Sequence, residues 1–295
     1  MVSAGAGHTD ARALAVVGTE RMAGLARGAH RDVVAVVAGA VAAAWVVVGL
    51  LGWRVLTPHD PALQNPSDRF ARPGVAHWIG ADQFGRDVLA RVLAGARPVL
   101  VVAPLATALA VVVGTAVGLT AAGLGGWFDG VAMRVLDAVT VFPSIIAATL
   151  FAALVGRSRL VLILVIAATF VPIVARGVRA ATLVECAKPY VEAARLRGEP
   201  TWSLLVRELL PNVRATVLVE ATSRLGDAVF AAATLSFLGL GEPPGSPEWG
   251  ATVSENRVWL TLAPWTLLAP ALAIASLVVA VALLADALRR RVDAP

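Results

Sequence analysis

Cysteine and lysine are almost missing from this 295-residue chain, which has one of each, Cys186 and Lys188. A single thiol excludes a disulfide within the chain and any cysteine-rich metal centre. Charge is also scarce: Asp, Glu, Lys and Arg make up 15% of the residues, against about 25% in an ordinary soluble domain. A soluble globular fold of this length is therefore excluded. No G-x-x-x-x-G-K-[ST] phosphate loop is present, since Lys188 has no such glycines before it, and no H-E-x-x-H pattern occurs. The four histidines, His8, His30, His59 and His77, fall outside the apolar runs and read as ordinary loop histidines. No catalytic constellation is visible, so the chain is expected to bind no nucleotide, metal or other cofactor of its own.

What is present is apolar. Hydrophobic residues make up 58% of the chain and the mean hydropathy is +0.77, which identifies an all-α integral membrane protein. A span needs about 20 apolar residues to cross roughly 30 Å of hydrocarbon, and the pattern predicts six transmembrane helices. Residues 1–32 carry four arginines and no apolar core, and read as a cytoplasmic N-terminal arm without the marks of a cleaved signal peptide. The first transmembrane helix is placed at 33–53. Residues 54–97 form an extracytoplasmic segment broken by Pro58, Pro61, Pro66 and Pro73. A short interfacial helix on Val88, Leu89 and Val92 is expected to close it. The core, 98–288, holds the other five spans and a cytoplasmic loop, 183–212; a tail follows at 289–295. Within the core the spans are predicted at Val99–Leu124, Gly130–Val155, Leu160–Ala175, from Asn212 onward, and Leu260–Ala285. In the third, Arg134 and Asp137 lie one turn apart and are expected to pair, and Pro143-Ser144 interrupts the apolar run.

With both termini inside, fifteen Lys and Arg fall on the cytoplasmic side and nine on the other, leaving out Arg224 within a span. The balance agrees with the positive-inside rule. The formal charge of +5 thus reads as membrane orientation rather than nucleic-acid binding.

The polar island Pro189 to Gly198 organises the rest. Pro189 suits the first helical position and Gly198 the residue just past a helix end. Between them, Glu192-Ala193-Ala194-Arg195 leaves a face small enough for a partner's surface to approach the backbone. A second helix is expected from Thr201 to Leu210, ended by Pro211, with Trp202, Leu205, Val206 and Leu209 forming one apolar stripe against the bundle. Glu192-Ala193-Ala194, Gly198 and Leu210-Pro211, together with Tyr190, resemble the EAA loop of bacterial ABC importer permeases. Glu208 stands where that signature usually has an aliphatic residue.

Two further stretches carry the resemblance. Asp82, Gly85, Arg86, Asp87 and Arg91 resemble the sequence ahead of the second span in the dipeptide and oligopeptide branch, with Ala81 and Ala90 replacing a Thr and a Ser. The expected role of these charges is to anchor a helix at the headgroups and touch a partner subunit. Thr234 to Gly241 resembles the branch's L-S-F-L-G-L-G ending, although Ala232 occupies a position where many relatives have Glu. The nearest branch is the C-type permease of peptide importers, which nickel and glutathione importers share. The resemblance implies a type I ABC importer permease fold in the bacterial inner membrane. It also implies a homologous B-type permease, two cytoplasmic ATPase subunits that bind ATP and Mg, and an extracytoplasmic substrate-binding protein.

Glu220, Ser223, Arg224 and Asp227 lie in the least apolar span. Glu220–Arg224 is i,i+4 and Arg224–Asp227 is i,i+3, so one arginine can pair with both acids. Such charges in a span face a pathway or form a structural triad. With Ser144 they are the candidates for a translocation path. An ion-gradient-driven transporter using the triad as a proton relay is the alternative reading.

Overall fold

The computed structural model describes residues 32–141, 143–243 and 245–292. The expected N-terminal arm, apart from Asp32, lies outside the described residues, as do the last three residues of the expected tail. Among the described residues all regular elements are helical, and the one strand-like feature is an isolated bridge between Ala81 and Asp87.

The helices are α1 (Asp32–Leu51), α2 (Trp53–Leu56), α3 (Val88–Leu124), α4 (Gly126–Val141), α5 (Ser144–Val155) and α6 (Arg159–Cys186). Then come α7 (Pro189–Leu196), α8 (Thr201–Ser203), a π-helical turn (Leu204–Leu209), α9 (Leu210–Phe237), α10 (Trp249–Asn256) and α11 (Trp265–Val292). By length and composition four helices, α1, α3, α6 and α11, can cross a membrane, or five if the bent pair α4 and α5 is one span. The 28-residue α9 has the length for a sixth but carries Arg214, Glu220, Arg224 and Asp227.

Three expectations are corrected here. The interfacial helix does not stand apart from the second span: α3 runs unbroken for 37 residues through Pro98 and Pro104. Asp87 starts it by accepting the Ala90 N–H at 2.7 Å, an N-cap that satisfies one of the orphan donors at a helix start. The third span is not one rod. Its halves, 16 and 12 residues long, are each short of a full crossing, and they meet at 86°. Finally, Asp137 pairs with Arg176 of α6 at 3.4 Å, not with Arg134, while Arg179 grips Asp129 of α4 through two bonds of 2.5 and 2.6 Å.

The bundle is held by close approach of small residues. A Cβ at Gly114 would lie 2.7 Å from the Cβ of Val174, and one at Gly118 would run into the Ala175 carbonyl oxygen. Ala103, Ala106 and Ala110 continue this buried face of α3. Lipid tails are as apolar as leucine, so such contacts rather than hydrophobic exclusion bring membrane helices together. Large apolar side chains such as Leu105, Val112, Leu272 and Val279 point outward, as a lipid-facing surface requires. Trp45 ties α1 to α11 by donating to the Ser276 hydroxyl at 2.9 Å.

Candidate coupling surface and translocation path

Helix α7 forms as its ends predict. Pro189 occupies the first turn, and Gly198 sits at φ +74. The Gly198 N–H donates to the Arg195 carbonyl at 3.0 Å and the Glu199 N–H to Ala194 at 3.3 Å. This pair of bonds is the Schellman ending that glycine favours, because it has no Cβ to clash in the left-handed region.

The helix does not present both alanines outward. Ala194 and Val191 are fully buried, while Glu192, Ala193, Arg195 and Leu196 are exposed. The inward pair packs into a cluster with Leu204, Leu205, Leu209 and Val213, and with Leu119 of α3 and Val174 and Val178 of α6. A push on the outer face of α7 therefore reaches α3 and α6 through close-packed side chains. Tyr190 is half-buried beneath and donates to Glu185 at 2.9 Å. Burial first, and the adjacent Glu185 second, push its hydroxyl up to about 12.

Pro211 does not end the second helix. The chain passes from α8 through the π turn into α9 without a break, with the Leu210 N–H donating five residues back to Leu205. Proline has no N–H and its ring crowds the carbonyl four residues earlier. A π turn widens the helix just ahead of it, and the Asn212 side chain donates to the Glu208 carbonyl at 2.6 Å. Of the predicted stripe, Leu205 and Leu209 are buried, but Trp202 is 73% exposed. Leu196 at the end of α7 is 83% exposed. Glu192, Arg195 and Arg197, in α7 and just after it, are exposed as well.

The triad on α9 assembles as its spacing predicts. Arg224 donates to Asp227 at 2.7 Å and its Nε lies 3.5 Å from a Glu220 oxygen. Its guanidinium is 6.0 Å from the centre of the Phe170 ring on α6. Glu220 lies against Gly177, where a Cβ would stand 2.8 Å from its carboxylate oxygen. Glu220 Oε2 and Arg224 Nε are buried without a hydrogen-bond partner, so this pair is polar but incompletely satisfied. Ser223 is half-buried beside it; the Ser144 side chain lies outside the described residues.

A separate cavity of about 640 Å³ opens among α4, α5 and α6, lined by Thr140, Pro143, Phe151, Thr169, Ile173 and Arg176 among others. The triad meets α6 at Phe170 and Gly177, so the two features lie on different faces of that helix. Sequence reasoning missed Thr169 and Arg176, whose place in the cavity wall depends on the bend after α4.

The charges ahead of α3 do not anchor at headgroups. Asp82, Arg86, Asp87 and Arg91 are 1–4% exposed. Asp82 accepts the N–H of Phe84 at 2.8 Å and of Arg86 at 3.0 Å, and the Arg86 guanidinium at 2.6 Å. Arg86 also reaches Glu255 at 2.9 Å. Arg91 donates to the carbonyls of Gly245 at 3.1 Å and Ser246 at 2.9 Å and to the Thr252 hydroxyl at 3.2 Å. Gly85, at φ +70, passes so close to the Asn65 carbonyl that no side chain fits. These residues weld the 57–87 segment and the start of α3 to α10 and the loop before it, a role within this chain. Nearby, His77 is held by Asp87 at 2.9 Å and Asp68 at 3.4 Å. Burial lowers its affinity for a proton, but the two carboxylates outweigh that and hold it above the ordinary histidine value.

Residues 110–294 match the family model described as "Binding-protein-dependent transport system inner membrane component". Similar curated proteins include the glutathione transport system permease protein GsiD of Pectobacterium atrosepticum, 36% identical over 84% of this chain and 83% of that protein. Another is the dipeptide transport system permease protein DppC of Alkalihalophilus pseudofirmus, 37% identical over 81% and 79%. A third, GsiD of an Escherichia coli strain, is 36% identical over 84% and 82%.

Proposed function

The chain belongs to the family of binding-protein-dependent transport inner membrane components, and from that premise we propose how its parts work. It is an ABC peptide-type permease, a helical membrane subunit of an importer. Its motor is a pair of separate ATPase subunits that hold ATP and Mg, paired through the outer face of α7. Its companions are a homologous permease and a binding protein that delivers substrate on the far side. Six crossings, with α9 as one of them and the α4–α5 pair as another, put both termini on one side, and the Lys and Arg balance makes that side the cytoplasm.

The observation that carries this reading is the two-sided α7. Its inner face is locked to α3 and α6 through Val191 and Ala194, while its outer face offers Glu192, Arg195 and exposed Leu196. ATP binding favours one state of the motor, and only such differential binding can shift the permease between its two states. A loosely attached helix could not pass that shift on.

The substrate is a short peptide, with one relative named for dipeptides and others for glutathione. The cavity of about 640 Å³ has the size of a small-ligand site, and Arg176 and Thr169 supply partners for a carboxylate. This cavity and the Glu220–Arg224–Asp227 face are this chain's contribution to the route. Uptake of labelled dipeptide and glutathione into proteoliposomes holding the complete transporter tests the reading. It requires ATP, and it slows in an Arg224→Ala, Asp227→Asn double variant. Uptake driven by an ion gradient without ATP overturns the motor; an unchanged rate and substrate range in the double variant removes the triad from the route.

A further inference from the structure

We propose that His59, His77 and Asp87 form a binding site for a first-row divalent metal ion of the zinc class. The site does not depend on the transport reading above. One donor atom from each residue lies within 4.8 Å of the other two. The residues come from three separate places: the stretch after α2, the loop that follows, and the N-cap of α3. An ion here would tie together three segments that no helix connects.

The donors are prepared in ways a random loop cluster lacks. Asp87 divides its two oxygens. One caps α3 through the Ala90 N–H at 2.7 Å, and the other lies 2.9 Å from His77 Nδ1 and 3.8 Å from His59 Nδ1. The far nitrogen of His77 faces Asp68 at 3.4 Å, and the Asn65 side chain donates to the same Asp68 oxygen at 2.6 Å. A ligating histidine whose other nitrogen donates to a carboxylate is the usual outer arrangement of a metal site, where it fixes the tautomer and raises basicity. Here Asp68 fills that position and Asn65 holds it.

Access and charge also fit. The Asp87 side chain is 3% exposed and that of His77 9%, but the His59 side chain is 39% exposed. A cavity of about 90 Å³, lined by Thr57, His59, Trp78, Asp87 and Leu89 among others, opens beside them. It leaves room for an ion to enter and for a water in the fourth position. One carboxylate and two neutral imidazoles leave a divalent ion with one net positive charge, which Asp68 offsets. Two nitrogens and one oxygen suit zinc and its neighbours, whereas calcium and magnesium take oxygen ligands. Bonds of about 2.0–2.1 Å in a tetrahedron place ligand atoms roughly 3.3 Å apart. His77 therefore moves slightly outward and the exposed His59 side chain swings inward, by about 0.5 Å toward Asp87 and by up to about 1.5 Å toward His77.

The test uses the full-length chain in detergent, purified without a histidine tag, with Zn²⁺ as probe in competition with a chromophoric chelator. Each chain is expected to bind about one Zn²⁺, and Co²⁺ in its place to give visible d–d bands of a low-symmetry N/O site. His59→Gln abolishes binding without disturbing the α3 cap, since His59 lies at the rim. Asp68→Asn weakens it by about 10–100-fold, as loss of an outer partner does. A His8→Gln, His30→Gln double variant keeps the site. Absence of stoichiometric Zn²⁺ binding, or binding that survives His59→Gln in a chain that still elutes as one species, overturns the proposal. The cluster would then hold only a proton shared between His77 and its acids.

Discussion

Replacing Arg91 by methionine removes a guanidinium that is 1% exposed while keeping most of the buried stem. It leaves the Ser246 carbonyl and the Thr252 hydroxyl without their donor, and strips one of two arginines from the pair of acids Asp82 and Glu255. A buried group left unpaired costs about 1–3 kcal/mol, and breaking a buried ion pair about 3–5 kcal/mol. Arg86 still bonds both acids, at 2.6 and 2.9 Å, and Gly245 is exposed enough for water to replace the lost donor at its carbonyl. The lower end applies, about 3 kcal/mol. At roughly 2 °C per kcal/mol for a chain of this size, the thermal midpoint falls by about 6 °C. Tryptophan fluorescence in detergent follows the change, because Trp249 donates to the Val92 carbonyl at 2.7 Å, next to the site. Arg91→Lys recovers less than half, since an ammonium cannot serve a carbonyl pair and a hydroxyl with one planar fork. A drop below about 1 °C for Arg91→Met would refute the reasoning, because buried unpaired groups of this kind cannot cost so little.

Three more predictions concern packing, titration and function. Gly118→Val drives a side chain into the Ala175 backbone of α6 and is expected to cost about 1–3 kcal/mol, seen as a lower midpoint and a broader elution profile. Glu248 is buried where the Ser236 hydroxyl and the Glu242 N–H donate to it. Burial raises its carboxyl above the usual range, and these two bonds, with Arg159, offset that only in part. Stability from the protonated form is complete below the unfolded value and is lost as pH rises through the folded one. Glu248→Gln is therefore expected to match the parent in acid and exceed its thermal midpoint at neutral pH, in paired melts across pH. Val191→Ala opens a void beneath α7 of two methyl groups, about 2 kcal/mol with the transfer loss included; peptide-stimulated ATP hydrolysis in the complete transporter should fall with it.

Much of the architecture was legible because membrane helices announce themselves in long apolar runs, and α7 because proline and glycine mark its two ends. Where the reading failed, the cause was tertiary. Pro211 reads as a stop in any α-helix, and only the π turn ahead of it lets α9 continue. Ala193 and Ala194 are identical letters, yet one faces out and the other is sealed in the cluster that holds Leu205 and Val178, which no local pattern distinguishes. Buried charge was the larger surprise: Arg86 and Arg91 looked like headgroup anchors because their partners, Glu255 and the carbonyls of 245 and 246, lie more than 150 residues away. His59 and His77 were invisible as a pair for the same reason. They are 18 residues apart in a proline-broken segment with no period to align them, and only the fold brings their rings to 5.0 Å.

The central claim is that force from the ATPase enters through the outer face of α7, and Leu196→Asp tests it most directly. Leu196 is 83% exposed, so the substitution should leave the thermal midpoint within about 1 °C of the parent, as surface changes do. The account predicts that this folded variant no longer co-purifies with the ATPase subunits and no longer supports ATP-dependent peptide uptake. Full uptake with the ATPase still bound would contradict it.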